Sequence, residues 1–205
     1  MERNPLKWPM SCVGGLAVIV LYCVFTFISA AMYPAPYSPA TNWLSDLGSW
    51  SGNPRGAIFY NVGCVVSGFA LFPFYLGLYV WYDSVVWRRV LLTVGQVLGS
   101  CSAFSLMMIG VFSADSGAPH LFWSAAFFTL NFIVFLLVTT SLITHPKFMK
   151  LIGVYGYIIT IASLVFDFTV GGPLVEWFTV FTALGFAGLL VTNMLRVSFL
   201  VKGKR

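Results

Sequence analysis

Long apolar runs fill most of the chain, and they lack the strict alternation of a membrane β-strand. Each run is about as long as, or longer than, the roughly 20 residues that cross a bilayer as a helix. Because a lone spanning segment must satisfy its own backbone hydrogen bonds, these runs are expected to be helical. The pattern predicts six membrane helices in one domain (residues 1–205), at 9–32, 54–82, 90–112, 119–143, 151–169 and 174–200.

A shorter pattern lies between the first two predicted helices. The stretch 38–48 opens with Ser-Pro, which favours a helix start, and closes with Gly48, which favours a helix end. Helical spacing gives it a polar face of Asn42, Ser45 and Asp46 and an apolar face of Trp43, Leu44 and Leu47. This predicts a short amphipathic helix at the membrane interface, whose polar face either borders a pocket or faces water.

Composition supports lipid as the solvent. The 205 residues are 59% hydrophobic and 8% charged, whereas a soluble domain is about one quarter charged. The four cysteines all lie in apolar runs and lack metal-binding spacing, so they are interpreted as core residues. The expected fold is therefore an all-α six-helix membrane bundle.

The basic residues indicate the orientation of the bundle. With an even number of spans, ten of the 11 Lys and Arg residues fall at one end, and four of the six acids fall at the other. The positive-inside rule makes the basic end, with both termini, cytoplasmic in a multi-pass cell-membrane protein, so the net charge of +5 requires no nucleic-acid partner. The ten are Arg3, Lys7, Arg88, Arg89, Lys147, Lys150, Arg196, Lys202, Lys204 and Arg205.

The opposite, acidic end carries the candidate catalytic residues. A first-turn position keeps His120 near the positive end of a helix dipole, which favours a neutral imidazole. Two chemistries are open: a divalent metal that activates water, or a serine nucleophile with a histidine base and an orienting aspartate. No HExxH, GxSxG, haem or nucleotide signature accompanies them. The catalytic candidates are Ser45, Asp46, Asp115, His120 and Asp167, of which Asp46, Asp115, His120 and Asp167 are the metal candidates.

Five further polar residues are candidates for substrate binding. Arg55 is the one cation predicted at the acidic end, where it could pair with any of the four acids. Asn131 lies roughly 18 Å down its helix, where it either bonds another helix or forms a cavity floor. An acid in a first helical turn, such as Glu176, is explained by the helix dipole alone. The set is Asn42, Arg55, Asn61, Asn131 and Glu176.

Small residues indicate close helix packing. Gly95 and Gly99 form a GxxxG pair on the third predicted helix, a spacing that lets two membrane helices approach each other. The pair is a candidate surface for a homo-oligomer or for a partner in a membrane complex.

Two blocks of sequence resemble a known family. They are Tyr37-Ser38-Pro39, Asn42, Ser45-Asp46-Leu47-Gly48, Asn53-Pro54 and Phe59 to Gly63, and then Gly110 to Ser113, Asp115, Pro119-His120 and Phe127-Phe128. This layout is similar to domain of unknown function 998, a family of six-helix membrane proteins from archaea and bacteria. The resemblance implies the fold and points to Ser45, Asp46, Asp115 and His120. More distantly the layout is similar to the FRAG–DRAM–SFK group, one branch of which is implicated in remodelling lipid anchors of surface proteins.

The functional hypotheses therefore divide into classes. The first is a hydrolase or transferase that acts on a lipid or lipid-linked substrate at an outward-facing polar pocket. The alternative is a non-catalytic protein that binds, senses or transports a lipid or other ligand, or an assembly subunit of a membrane complex. The sequence leaves open whether the protein is an enzyme.

Overall fold

The computed structural model describes residues 9–202, with side chains to residue 198, and this part of the chain contains helices and no strand. All six long helices have the length and hydropathy of membrane spans, which confirms the predicted fold class. Three short 3-10 helices lie between them, at Leu44–Gly48, Gly77–Trp81 and Ala114–Ser116. The long helices are α1 (Met10–Ala31), α2 (Ala57–Leu76), α3 (Val86–Val111), α4 (Ala118–Ile143), α5 (Lys150–Thr169) and α6 (Pro173–Lys202).

The six helices pack in chain order, and α6 returns against α1. The contacts along α1, α2, α3 and α4 are extensive, whereas α5 and α6 contact their neighbours much less. The connection between α5 and α6 is tight because Gly171 and Gly172 adopt φ angles of 62° and 73°, which only glycine tolerates freely. The bundle thus consists of four closely packed helices and two looser ones.

Several predicted helix ends differ from the observed ones. The predicted start of α2 at Pro54 is wrong because residues 53–56 form a turn, in which the Asn53 side chain accepts a hydrogen bond from the Gly56 N–H at 3.2 Å. The α-helix also ends earlier than predicted, at Leu76, and continues as a 3-10 helix. In contrast, α3 begins at Val86, before the predicted residue 90, so Arg88, placed in a loop by the sequence, lies in its first turn.

The short helix predicted in the first long loop exists, but it is a 3-10 helix at Leu44–Gly48 instead of a helix from Ser38. Its apolar side chains do not face lipid as expected. Leu44 and Leu47 are both 0% exposed and belong to the protein core. The apolar side of this helix is therefore covered by the bundle, and only Trp43, 45% exposed, remains outside.

The GxxxG surface is used inside the chain. A Cβ added at Gly99 would lie 2.5 Å from the Tyr75 ring of α2, and one added at Gly95 would lie 3.0 Å from Val138 of α4. The two glycines therefore hold α3 against its own neighbours, α2 and α4. Four basic residues of the orientation argument lie outside the described residues: Arg3, Lys7, Lys204 and Arg205.

Candidate functional site

The first long loop, residues 37–53, folds onto the acidic end of the bundle, and we call it the cap segment. The carbonyls of Leu47 and Gly48 in this segment accept hydrogen bonds from polar side chains. The Ser29 hydroxyl of α1 donates to the Leu47 carbonyl at 3.1 Å, and the Asn53 amide donates to the same oxygen at 3.0 Å. The Asn61 amide of α2 donates to the Gly48 carbonyl at 3.0 Å. Asn61, predicted to bind substrate, therefore holds the cap segment.

Glu176, in the first turn of α6, holds the cap segment from another side. Its Oε2 accepts hydrogen bonds from the backbone N–H of Leu44 at 2.7 Å and of Ser45 at 3.3 Å. The indole N–H of Trp177 donates to the Asn42 carbonyl at 3.1 Å. The structure thus brings Asn42, Ser45 and Glu176 together, although Ser45 and Asn42 contribute these bonds through their backbones.

Asp115 connects the cap segment to the turn between α3 and α4. Its carboxylate accepts hydrogen bonds from the hydroxyls of Ser51 (2.5 Å) and Ser49 (2.9 Å) and from the Trp50 N–H (2.5 Å). The hydrogen bond from Ser51, followed by those from Ser49 and Trp50, outweighs partial desolvation and lowers the pKa of Asp115. An ionised carboxylate with three donors is well suited to fixing a loop.

The remaining catalytic candidates have separate partners. The Asp46 carboxylate accepts the Trp43 N–H at 2.9 Å, and burial raises its pKa against that hydrogen bond. His120 is buried, with Nδ1 2.8 Å from the carbonyl of Phe112, the residue that follows α3. Asp167 and Arg55 are exposed. In the described part of the chain no ion pair joins Arg55 to an acid.

The structure does not join these candidates into one cluster. Across residues 9–202, no hydrogen bond or ion pair links Asp115, His120 or Asp167 to Ser45 or Asp46. No group of three or more His, Cys, Asp or Glu side chains in the same range lies close enough to hold a metal ion. The polar side chains of the acidic end instead fasten the cap segment to α1, α2, α6 and the α3–α4 turn.

A cavity of about 70 Å³ lies deeper, among α1, α2, α4 and α6. That volume is several times the roughly 10–15 Å³ that one water molecule needs. Its walls are mostly aliphatic and aromatic, with Asn131 and Thr179 as the exceptions, and no residue of α5 lines it. Representative lining residues are Tyr22 of α1, Phe74 of α2, Phe127 and Phe128 of α4, and Ala183 and Leu184 of α6.

Asn131 is the polar amide in this wall. It is 8% exposed, its Oδ1 accepts a hydrogen bond from the Tyr75 hydroxyl at 2.9 Å, and its Nδ2 donates to the Phe127 carbonyl at 3.0 Å. Both interpretations left open by the sequence thus apply to Asn131, because it bonds α2 and also borders the cavity. Tyr75 also borders the cavity, although no sequence pattern marked it as a candidate site residue.

A family model described as a protein of unknown function (DUF998) matches residues 16–197. The chain belongs to the DUF998 family. The matched range contains the whole cap segment and every residue that lines the cavity. No curated protein and no solved structure matches this DUF998 chain.

At the basic end, a charged cluster joins two loops, and sequence analysis did not identify it. Arg88 forms an ion pair with Asp83 and donates to the Thr144 carbonyl at 2.8 Å, while His145 Nε2 lies 3.6 Å from Asp83. Removal from water opposes ionisation of Asp83, but hydrogen bonds from Val85 and Arg88 lower its pKa. Burial, partly offset by Asp83, lowers the pKa of His145. The cluster thus connects the α2–α3 loop and the start of α3 to the α4–α5 loop.

Proposed function

We propose that the protein is a non-catalytic lipid-binding protein that holds the end of one apolar lipid chain in the cavity among α1, α2, α4 and α6. The observation that carries this proposal is the cavity itself, which is about 70 Å³ in volume and walled by apolar side chains. Apolar cavities exclude water and accept apolar molecules. Around six spanning helices the abundant apolar molecules are lipid chains.

Access from the membrane is supported by the loose packing near the cavity. α4 and α6 hardly contact each other, although the rings of Phe135 and Phe186 meet with centroids 5.4 Å apart. Nearer the acidic end, the cavity residues Phe128 and Ala183 are only half-buried. The last turns of α5 are largely exposed, and Phe168 is 84% exposed. A chain entering sideways between α4 and α6 would meet no extensive helix contact.

The cap segment supports binding over catalysis at the acidic end. A Ser–His–Asp or metal mechanism needs Ser45, His120 and the aspartates within hydrogen-bond reach of one substrate atom. Their hydrogen bonds instead fasten loops to helices. In our proposal the cap closes the acidic end, which would face outside if the basic end is cytoplasmic, as the positive-inside rule favours.

Filling the cavity tests the proposal. Ala183 lines it, so Ala183→Phe would place a ring where the lipid chain is expected. We expect lipid retained through purification, measured by native mass spectrometry, to fall by at least about tenfold, a loss of about 1.4 kcal/mol of binding free energy. The matched control is Ala125→Phe on the exposed face of α4, which should retain lipid as the wild type does.

Two outcomes would count against this function. Equal lipid retention in Ala183→Phe and Ala125→Phe would show that the lipid binds elsewhere. Wild-type protein that purifies without lipid, and takes up none from mixed micelles, would remove lipid binding altogether. A Ser45→Ala variant distinguishes the catalytic alternative, since lipid binding in the cavity should not depend on that hydroxyl.

A further inference from the structure

The hydrogen-bonding capacity of Asn131 is only partly used within the protein. A side-chain amide has two N–H donors and two acceptor lone pairs. One donor is used by the Phe127 carbonyl and one lone pair by the Tyr75 hydroxyl. One N–H and one lone pair therefore remain, on a residue that is 8% exposed and borders the cavity.

The surroundings offer little to satisfy these remaining sites. Most other residues that line the cavity, such as Leu106, Val134 and Phe135, provide no polar side-chain atom. The lining also includes Thr179 of α6, which has a hydroxyl. Leaving buried polar groups unsatisfied is unfavourable, and more so in a medium without water. A ligand that brings an oxygen atom to this point would gain hydrogen bonds that a pure hydrocarbon chain cannot make.

We infer that the cavity selects single-chain lipids ending in a hydroxyl or carbonyl oxygen, which enter with this oxygen towards the Asn131–Tyr75 pair. This inference rests on the proposed lipid-binding function and names its ligand class. A hydroxyl satisfies both free sites of Asn131, since it accepts from the N–H and donates to Oδ1. A carbonyl satisfies only the N–H. A two-chain phospholipid would have to place its headgroup near the bilayer midplane, which is unfavourable.

Three probes of equal chain length separate these cases: cetyl alcohol, methyl palmitate and hexadecane. Binding is measured by thermal stabilisation of purified protein in micelles at equal probe mole fraction. We expect wild-type protein to bind cetyl alcohol about tenfold more tightly than hexadecane, the effect of two modest hydrogen bonds, with methyl palmitate between them. Comparing variants with the same probes cancels the partitioning of each probe into micelles.

Two variants assign the preference to Asn131. Asn131→Leu keeps the size of the side chain and removes the amide, so the alcohol preference should disappear while hexadecane still binds. Tyr75→Phe removes the hydroxyl that occupies Asn131 Oδ1 and frees that lone pair for the ligand. It should therefore retain the alcohol preference, whereas a purely structural role of the pair would give the same result in both variants.

The outcomes separate this inference from the proposed function. Equal affinity for all three probes in wild-type protein, or an alcohol preference that survives Asn131→Leu, overturns the oxygen-selective site and leaves binding of apolar chains intact. Tighter binding of a phosphatidylcholine probe than of cetyl alcohol also overturns it. Absence of binding by every probe overturns the proposed function itself.

Discussion

At the acidic end, the contacts of single residues could not be predicted from the sequence around them. Glu176 sits where any helix favours an acid, which is why the dipole alone explained it. In the structure its carboxylate accepts hydrogen bonds from two backbone N–H groups of the cap segment, more than 130 positions away in the chain. No local pattern contains that information, because the partner is a backbone group that every residue possesses.

We predict that Glu176→Ala destabilises the protein more than substitution of Asp167, an exposed acid outside the cap contacts. The change leaves the N–H groups of Leu44 and Ser45 without an acceptor, and Leu44 is fully buried. The expected loss is about 1–3 kcal/mol in the free energy of unfolding, measured by thermal or denaturant unfolding in detergent. Glu176→Gln keeps a carbonyl acceptor and should lose less.

The matched control for this prediction is Asp167→Ala. Asp167 is an acid at the same end of the bundle, is exposed, and its carboxylate forms no hydrogen bond or ion pair within the described residues. Its removal should change stability by no more than about 0.5 kcal/mol. Equal effects of the two substitutions would mean that the bonds to the cap segment contribute nothing.

At the scale of elements, the sequence predicted the long helices well and the cap segment poorly. Six apolar runs must be helices because the bilayer allows little else. Residues 44–48 also have a clear apolar face. The amphipathic pattern alone does not distinguish whether lipid or protein covers that face. Leu44 and Leu47 are covered by protein because Ser29, Asn53 and Asn61 bind the neighbouring carbonyls. Such polar residues near helix ends are the signal that could have indicated a docked loop.

Close backbone approach explains why α1 packs so extensively on α2. A Cβ at Gly14 would lie 2.5 Å from the Phe74 nitrogen and 2.8 Å from the Ala70 carbonyl oxygen. Both are main-chain atoms, which cannot rotate away. We therefore predict that Gly14→Ala lowers the free energy of unfolding by about 1–3 kcal/mol, as in other overpacked cores.

Gly188 of α6 provides the matched control for this prediction. There the nearest atom to an added Cβ is Ile19 Cδ1 at 3.5 Å, an ordinary van der Waals contact. Because alanine favours helix by up to about 1 kcal/mol over glycine, Gly188→Ala should leave stability unchanged or raise it. Unfolding in detergent measures both variants, and a loss of stability in Gly188→Ala would show that α6 packs as tightly as α2.

At the scale of the molecule, the difference between the two parts of the bundle has a functional consequence. α1, α2, α3 and α4 approach each other closely, whereas α5 and α6 make few contacts. The cavity lies at the boundary between these parts, with α6 forming one of its walls. A ligand there would lie between α4 and α6, which hardly contact each other, and would add van der Waals contacts that the fold lacks.

This arrangement predicts that lipid binding changes the local stability of α6 more than that of α2 or α3. Amide hydrogen exchange follows local opening, so peptides from α5 and α6 should exchange faster than those from α2 and α3 in lipid-free protein. Because a ligand stabilises the state it binds, cetyl alcohol should slow exchange around Ala183 and in facing α4, with little change in α3. Ala183→Phe should abolish this dependence on lipid. Uniform protection of all six helices on adding cetyl alcohol would instead indicate a general effect of the micelle and contradict a site between α4 and α6.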